Sequence, residues 1–108
     1  MSLDLANPVL VAAGCGGTGR DLAAYTDLAS LGGFVTRSIT LAPRPGGAPP
    51  RIVETPSGLA HAVDLQNPGV DQFLALEVPW LVQSGARVFV SIVGRSLGEY
   101  AELARRLG

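Results

Sequence analysis

Hydrophobic positions along the chain alternate between short apolar runs and stretches with helical spacing. An unbroken apolar run lies at residues 9–13, and two mainly apolar stretches, GFVTR and RVFVSIV, lie at residues 33–37 and 87–93. Runs of this kind are typical of parallel strands that are covered on both faces. The pattern therefore predicts three buried strands.

Helical spacing of apolar residues follows each of these runs. It predicts helices at about residues 20–31, 70–83 and 97–107. The second helix should be bent or broken near Pro79, because proline lacks the backbone N–H donor. Its buried face is expected to consist of Phe73, Leu74, Val78, Trp80 and Leu81. The last helix is amphipathic, and its charged side should face solvent.

A long segment without clear periodicity separates the second predicted strand from the next helix. Residues 38–68 hold six of the eight prolines of the chain and are expected to be irregular. Loops of this length in a compact domain usually carry function. A linker between two domains is the alternative, but apolar residues interleave with the turn residues. We therefore expect Ile52 and Leu65 to contact the body of the domain, with His61 and Asp64 near the mouth of a site.

The order of these elements, β-α-β-loop-α-β-α, predicts an α/β fold with parallel strands and right-handed crossovers. Three strands cannot close a barrel, and a (β/α)₈ barrel needs roughly 250 residues. An open sheet of three strands would leave both edge strands bare. The chain is therefore interpreted as the first part of a larger domain.

Composition excludes several function classes. The 108 residues carry a formal net charge of −1, and the eight basic residues are scattered arginines, so a nucleic-acid interface is not expected. The single cysteine, Cys15, excludes an internal disulfide and a multi-thiolate metal site. Neither a signal peptide nor an apolar run of membrane-spanning length is found. We expect a cytoplasmic protein without a membrane partner.

The glycine-rich stretch GCGGTG, residues 14–19, matches the dinucleotide-binding pattern G-x-G-x-x-G. That pattern expects an acidic residue after the next strand, where this chain has Arg37. An arginine suits a 2′-phosphate, so an NADP-binding module is one hypothesis. The match is weak by itself, because 14 glycines in 108 residues produce such spacings by chance.

Several stretches together carry a more specific signal. NPVLVAAGCGGTGR, PRIVETPSG, LQNPG and VSIVG occur in an order and spacing that resemble the start of the soluble (class 1) dihydroorotate dehydrogenases. These are TIM-barrel flavoproteins that oxidise dihydroorotate to orotate in pyrimidine biosynthesis. The resemblance covers nearly the whole chain. It implies that residues 1–108 are the first three β/α units of one incomplete FMN-binding (β/α)₈ barrel, with the glycines in the loop after the first strand.

The resemblance also implies site residues and partners. The residues matching FMN contacts are Ala13, Gly14, Arg37, Ser38 and Ser91. The residues matching contacts to the pyrimidine substrate are Arg37, His61, Ala62, Val63, Asp64 and Leu65. The catalytic base of the family falls beyond Gly108, so no catalytic residue, Cys15 included, is assigned within this chain. A homodimer or an electron-transfer subunit is a partner that the resemblance allows.

Three positions depart from the family pattern. Arg37 stands where the family has lysine, His61 where it has asparagine, and Asp64 where it usually has glycine. The carboxylate of Asp64 is expected to repel orotate, which is itself an anion. Two explanations of the departures stay open: a different substrate, or neutral drift with His61 and Asp64 forming a local contact. A truncated paralogue without activity is a further alternative.

Overall fold

The structure, a computed structural model, describes residues 4–17, 19–62 and 64–108. The strands are β1 (Leu10–Val11), β2 (Gly33–Val35), β3 (Ile52–Thr55), β4 (Gly58–His61) and β5 (Val88–Phe89). The helices are α1 (Arg20–Ala23), α2 (Val70–Gln72), α3 (Val78–Gln83) and α4 (Leu97–Leu107). A 3₁₀ turn covers Leu28–Ser30, and a π-helical turn covers Phe73–Glu77.

The central layer is a parallel sheet with the strand order β1-β2-β5. Phe34 of β2 lies opposite both Val11 of β1 and Val88 of β5. A parallel bridge between Ile39 and Ile92 continues the pairing beyond the strands. The predicted parallel α/β arrangement is confirmed, although each strand is shorter than its apolar run.

The predicted helix over residues 20–31 is wrong in its length. α1 ends at Ala23, and a separate 3₁₀ turn follows. The side chain of Asp27 accepts a hydrogen bond from the backbone N–H of Ala29 at 3.1 Å, which gives the backbone an alternative to a continuous helix. This interruption buries Leu28 and leaves Tyr25 89% exposed.

The helix predicted over residues 70–83 is present, with its irregularity just before Pro79. α2 passes through the π-helical turn into α3, where Pro79 occupies the first turn. Proline is tolerated there because the N–H groups of a first turn have no partner within the helix. Phe73 and Leu81 are buried, and the other three predicted residues of this face are partly buried against the core.

The long segment is more regular than predicted. β3 and β4 form an antiparallel hairpin, joined by Pro56 and Ser57, in which Ile52 lies opposite His61. Every residue of both strands is exposed. The expectation that Ile52 contacts the body of the domain is therefore wrong, since its side chain is 62% exposed. Leu65 is partly buried, in agreement with its prediction.

The hydrophobic core lies between the sheet and the helices. Its buried members are Leu28, Ile39, Val70, Phe73, Leu81 and Leu103. Leu103 belongs to α4, whose bounds match the predicted 97–107. The Ser96 hydroxyl caps this helix by accepting from the backbone N–H of Glu99, and the Glu99 carboxylate accepts from the N–H of Arg95, a variant of the capping box.

No helix within the described ranges is both long and apolar enough to cross a membrane.

Candidate functional site

The predicted flavin-contact residues lie at one edge of the parallel sheet. Ala13 follows β1, Arg37 follows β2 and Ser91 follows β5. Because the strands are parallel, these positions meet at the carboxyl edge, where the sites of parallel α/β folds lie. The Oγ atoms of Ser38 and Ser91 share a hydrogen bond of 2.9 Å across that edge. The structure therefore shows the gathering that the strand pattern predicts.

A cavity of about 340 Å³ opens at this edge. Its lining consists of Ala13, Gly14, Arg37, Ser38, His61, Asp64, Leu65 and Gln66. All of these except Gln66 are residues that the resemblance assigns to the flavin or the substrate. The first loop, the end of β2 and the segment after the hairpin thus meet around one space.

Three predicted residues are not in this lining. Ser91 reaches the cavity only through its hydrogen bond to Ser38. Ala62 is exposed, and its backbone N–H donates to the carbonyl of Arg51 at 2.8 Å. Val63 lies outside the described residues.

The glycines of residues 14–19 serve different purposes. Gly14 adopts a positive φ of 82°, and a Cβ there would meet nothing within 4 Å. At Gly16 a Cβ would lie 2.7 Å from the Phe34 ring, and at Gly19 it would lie 3.0 Å from Leu81. Gly16 and Gly19 are thus explained by close contacts with neighbouring side chains.

The dinucleotide-binding hypothesis is disfavoured by the helix that follows these glycines. The glycine-rich pattern places a pyrophosphate at the start of a helix, but α1 spans only four residues.

Arg37 is the arginine in the cavity lining. Its backbone N–H donates to the carbonyl of Gly17 at 3.0 Å, and its Nη1 donates to the carbonyl of Gln66 at 3.1 Å. The side chain is therefore tied to both the first loop and the long segment. A guanidinium stays protonated at any physiological pH and has five N–H donors, so this bond uses only part of its capacity.

The Arg51 guanidinium forms three hydrogen bonds within the long segment, residues 38–68. Its Nε donates to the Gly47 carbonyl at 2.8 Å, and its Nη2 donates to the Pro45 carbonyl at 2.6 Å. Its Nη1 donates to Oε1 of Gln66 at 2.7 Å. Arg51 and Arg37 therefore both bind Gln66, one through its side chain and one through its backbone. The sequence reasoning missed Arg51, since no local pattern marks an arginine whose acceptors are backbone carbonyls.

Asn67 anchors the end of the long segment and was also missed. Its Oδ1 accepts from the backbone N–H of Thr40 and of Gly69, at 3.1 and 2.9 Å. Its Nδ2 donates to the carbonyl of Leu65 at 2.7 Å. The side chain is almost fully buried. An asparagine before Pro-Gly is a turn signal that could have identified this role.

Asp64 keeps a backbone conformation that glycine adopts easily. Its φ is 58°, in the left-handed region, which aspartate tolerates better than most residues. Its Oδ2 lies 3.2 Å from Nη2 of Arg44. In the part of the chain that the structure describes, Asp64 thus pairs with Arg44, and the local contact with His61 is not formed.

The cavity lining fits a flavin in its chemistry. Ala13 and Gly14 provide a wall of small residues, and Arg37 and Ser38 provide guanidinium and hydroxyl donors. A planar ring with carbonyl and ring-nitrogen acceptors needs close backbone approach on one side and such donors on another.

Among the described residues, no group of three or more His, Cys, Asp or Glu side chains could hold a metal ion.

Comparison with known proteins agrees with this geometry. The family model described as dihydroorotate dehydrogenase matches residues 1–108. The chain belongs to the dihydroorotate dehydrogenase family. Within the family it is 49% identical over 105 residues to the "Dihydroorotate dehydrogenase B (NAD(+)), catalytic subunit" of Pelobacter propionicus and 50% identical over 105 residues to the protein of the same name from Desulforudis audaxviator.

Each of these two alignments covers 97% of this chain and 34% of the relative. The protein of the same name from Anoxybacillus flavithermus is 45% identical over the same shares of the two chains. The chain therefore spans about a third of the length of the curated relatives it matches.

Proposed function

We propose that the full-length protein carrying this chain is an FMN-dependent dihydroorotate dehydrogenase of class 1, which oxidises dihydroorotate to orotate in pyrimidine biosynthesis. The observation that carries the proposal is the cavity at the carboxyl edge of the sheet. Its lining combines the residues matched to flavin with those matched to substrate. Family membership supports the reaction class.

The proposed fold of the whole domain is a (β/α)₈ barrel that begins with β1, β2 and β5. Three features support it. The three strands are parallel, and their order in the sheet follows their order in the chain when β3 and β4, which form a separate hairpin, are left out. The site at their carboxyl ends is a third, because TIM-barrel enzymes place their sites there. The hairpin would then be an insertion above the barrel mouth.

In this proposal FMN contacts Ala13, Gly14, Arg37, Ser38 and Ser91. The open space beside Gly14 lets the ring approach the backbone, and the Ser38 hydroxyl, which shares a hydrogen bond with Ser91 behind it, provides a polar group in the cavity wall. Arg37 holds a permanent positive charge, which stabilises negative charge on a bound ligand. The flavin supplies two-electron redox chemistry when bound.

The pyrimidine substrate is proposed to contact Arg37, His61, Ala62, Val63, Asp64 and Leu65. Arg37 would serve both ligands, since it lies between the first loop and the long segment. The imidazole of His61 can donate and accept hydrogen bonds, as the amide in the family pattern does, but it is larger. His61 is therefore the position at which we expect the substrate fit to differ most.

Partners and location complete the proposal. The names of the relatives contain "catalytic subunit" and "NAD(+)". They support a second, electron-transfer subunit that passes electrons to NAD⁺. A homodimer of the catalytic chain is the other partner that we propose. We propose the cytoplasm as the location.

The decisive experiment is anaerobic reduction of the purified full-length protein. We expect a flavin absorption spectrum that bleaches when dihydroorotate is added. Arg37→Ala should slow the bleaching by about 100-fold, because it removes a charged donor from the site. Arg105→Ala is the matched control, since Arg105 pairs with Glu102 on the exposed side of α4, outside the cavity lining. A purified protein without flavin would contradict the proposal.

One observation favours a second candidate, a flavin enzyme of this family with another pyrimidine or carbonyl substrate. His61 and Asp64, the two departures in the substrate segment, both line the cavity. Under this alternative the protein would contain flavin that dihydroorotate does not reduce, while a different pyrimidine does.

A further inference from the structure

Asp64 places a carboxylate at the mouth of a site proposed for an anion. It lines the same cavity as Arg37, and 53% of its side chain is exposed. An unpaired carboxylate at this position would repel orotate and would also compete for the positive charge of Arg37. In the structure, the guanidinium of Arg44 forms an ion pair with this carboxylate.

Arg44 is held near Asp64 by backbone hydrogen bonds to Asn67 and by the ion pair with Asp64 itself. The N–H of Arg44 donates to the carbonyl of Asn67, and the N–H of Asn67 donates to the carbonyl of Arg44, both at 3.0 Å. Asn67 is itself fixed by its buried hydrogen bonds to Thr40 and Gly69. The two chain segments are thus fixed side by side three residues away from Asp64, and the 3.2 Å contact between the Arg44 and Asp64 side chains forms next to this bridge.

The two arginines and Asp64 belong to one polar region. Arg37 and Arg44 both line a second cavity of about 470 Å³ next to the first, together with Gln66. With Arg44 present, the three charged groups sum to one positive charge; without it, Asp64 would cancel Arg37. The second cavity is also lined by Asp21 and Glu77, and Glu77 is paired with Arg20. Whether the group of Arg37, Arg44 and Asp64 keeps a net positive charge therefore depends on Arg44.

We propose that Arg44 is a specificity-determining residue of the site, which neutralises Asp64 so that the charge of Arg37 stays available for the carboxylate of the substrate. The inference rests on the proposed function, because it takes an anionic pyrimidine as the ligand. It also explains how a carboxylate can stand where the family usually has glycine. The expected repulsion between Asp64 and orotate is offset within the protein.

The test measures orotate binding by the FMN-loaded full-length protein, from the change in flavin absorbance on titration. Arg44→Gln should raise the orotate dissociation constant by about tenfold at low salt. The reason is that one uncompensated negative charge close to an anionic ligand weakens its binding by about a factor of ten. The effect should shrink at high salt, because the exposed Asp64 is screened. Arg44→Gln combined with Asp64→Asn should return the constant to within about twofold of the unmodified value. Arg105→Gln, which breaks an exposed ion pair on α4, is the matched control and should leave it unchanged.

Three outcomes contradict the inference. A loss in Arg44→Gln that neither salt nor the second substitution relieves would mean that Arg44 only shapes the loop. Unchanged binding in Arg44→Gln would mean that Asp64 does not act on the ligand. If the unmodified protein holds FMN but binds no orotate, the proposed substrate is wrong and the inference falls with it. The first two outcomes leave the proposed function intact. Failure of the inference about Arg44 can therefore be distinguished from failure of the proposed function.

Discussion

Asn67 and Thr40 are joined by a buried hydrogen bond: Oδ1 of Asn67 accepts from the backbone N–H of Thr40 at 3.1 Å, and the Thr40 hydroxyl oxygen lies 3.1 Å from the same atom. Both side chains are buried. The contact fixes the end of the long segment to the chain just after β2. It thereby holds the end of the long segment at the carboxyl edge of the sheet.

Replacing Asn67 with alanine should be strongly destabilising. The substitution removes the acceptor of two buried backbone N–H groups, those of Thr40 and Gly69. Since each unsatisfied buried group costs about 1–3 kcal/mol, we expect the free energy of unfolding to fall by about 3 kcal/mol. Urea denaturation of the full-length protein measures it. Asn7→Ala is the control: Asn7 also bonds backbone groups but at an exposed site, and equal losses in both variants would refute the argument.

Leu103 and Leu97 provide a matched pair on α4. Leu103 is fully buried in the core, whereas Leu97 is 89% exposed. Leu103→Ala should lower the free energy of unfolding by about 2–5 kcal/mol, because it loses buried surface and leaves a cavity. Leu97→Ala should change it by less than about 0.5 kcal/mol. Similar effects of the two substitutions would mean that α4 does not dock through Leu103.

Gly16 should not tolerate a side chain. An added Cβ would lie 2.7 Å from the ring of Phe34 and 3.2 Å from Val11, so the core around β1 and β2 must shift. We expect Gly16→Ala to cost about 1–3 kcal/mol in thermal or chemical unfolding. Gly98→Ala, in α4 with no atom nearer than 3.7 Å, should instead be neutral or stabilise by up to about 1 kcal/mol. A tolerated Gly16→Ala would contradict the close contact.

Glu102 predicts a pH dependence of stability. Hydrogen bonds from Arg105 and Arg106 lower the pKa of its carboxyl from 4.5 to about 2. A lowered folded-state pKa means that the ionised form stabilises the fold above about pH 4.5 and that this contribution disappears as the pH falls toward 2. We therefore expect Glu102→Gln to be less stable than the unmodified protein at pH 7 and equal to it near pH 2. Thermal melting at a series of pH values measures the difference, and a gap that persists at the lowest pH would exclude this cause.

Local signals in the sequence determined the parallel sheet, the last helix and the edge at which the site lies. Short apolar runs marked the three strands because both faces of a parallel sheet are covered. The amphipathic spacing of residues 97–107 predicted the bounds of α4, and the structure shows that Ser96 caps its first turn. Once the strands were identified, Ala13 and Arg37 had to meet, because parallel strands end at the same edge.

Contacts between distant residues decided the rest. The hairpin of β3 and β4 has two exposed faces, so no burial pattern in the sequence marked it, and α1 stops early because Asp27 caps a separate turn. The partner of Asp64 is Arg44, 20 positions away, and the partner of Asn67 is Thr40, 27 positions away. Polar pairing of this kind depends on where the backbone brings two side chains together. Hydrophobic periodicity reports which face of an element is buried, and it carries no information about such partners.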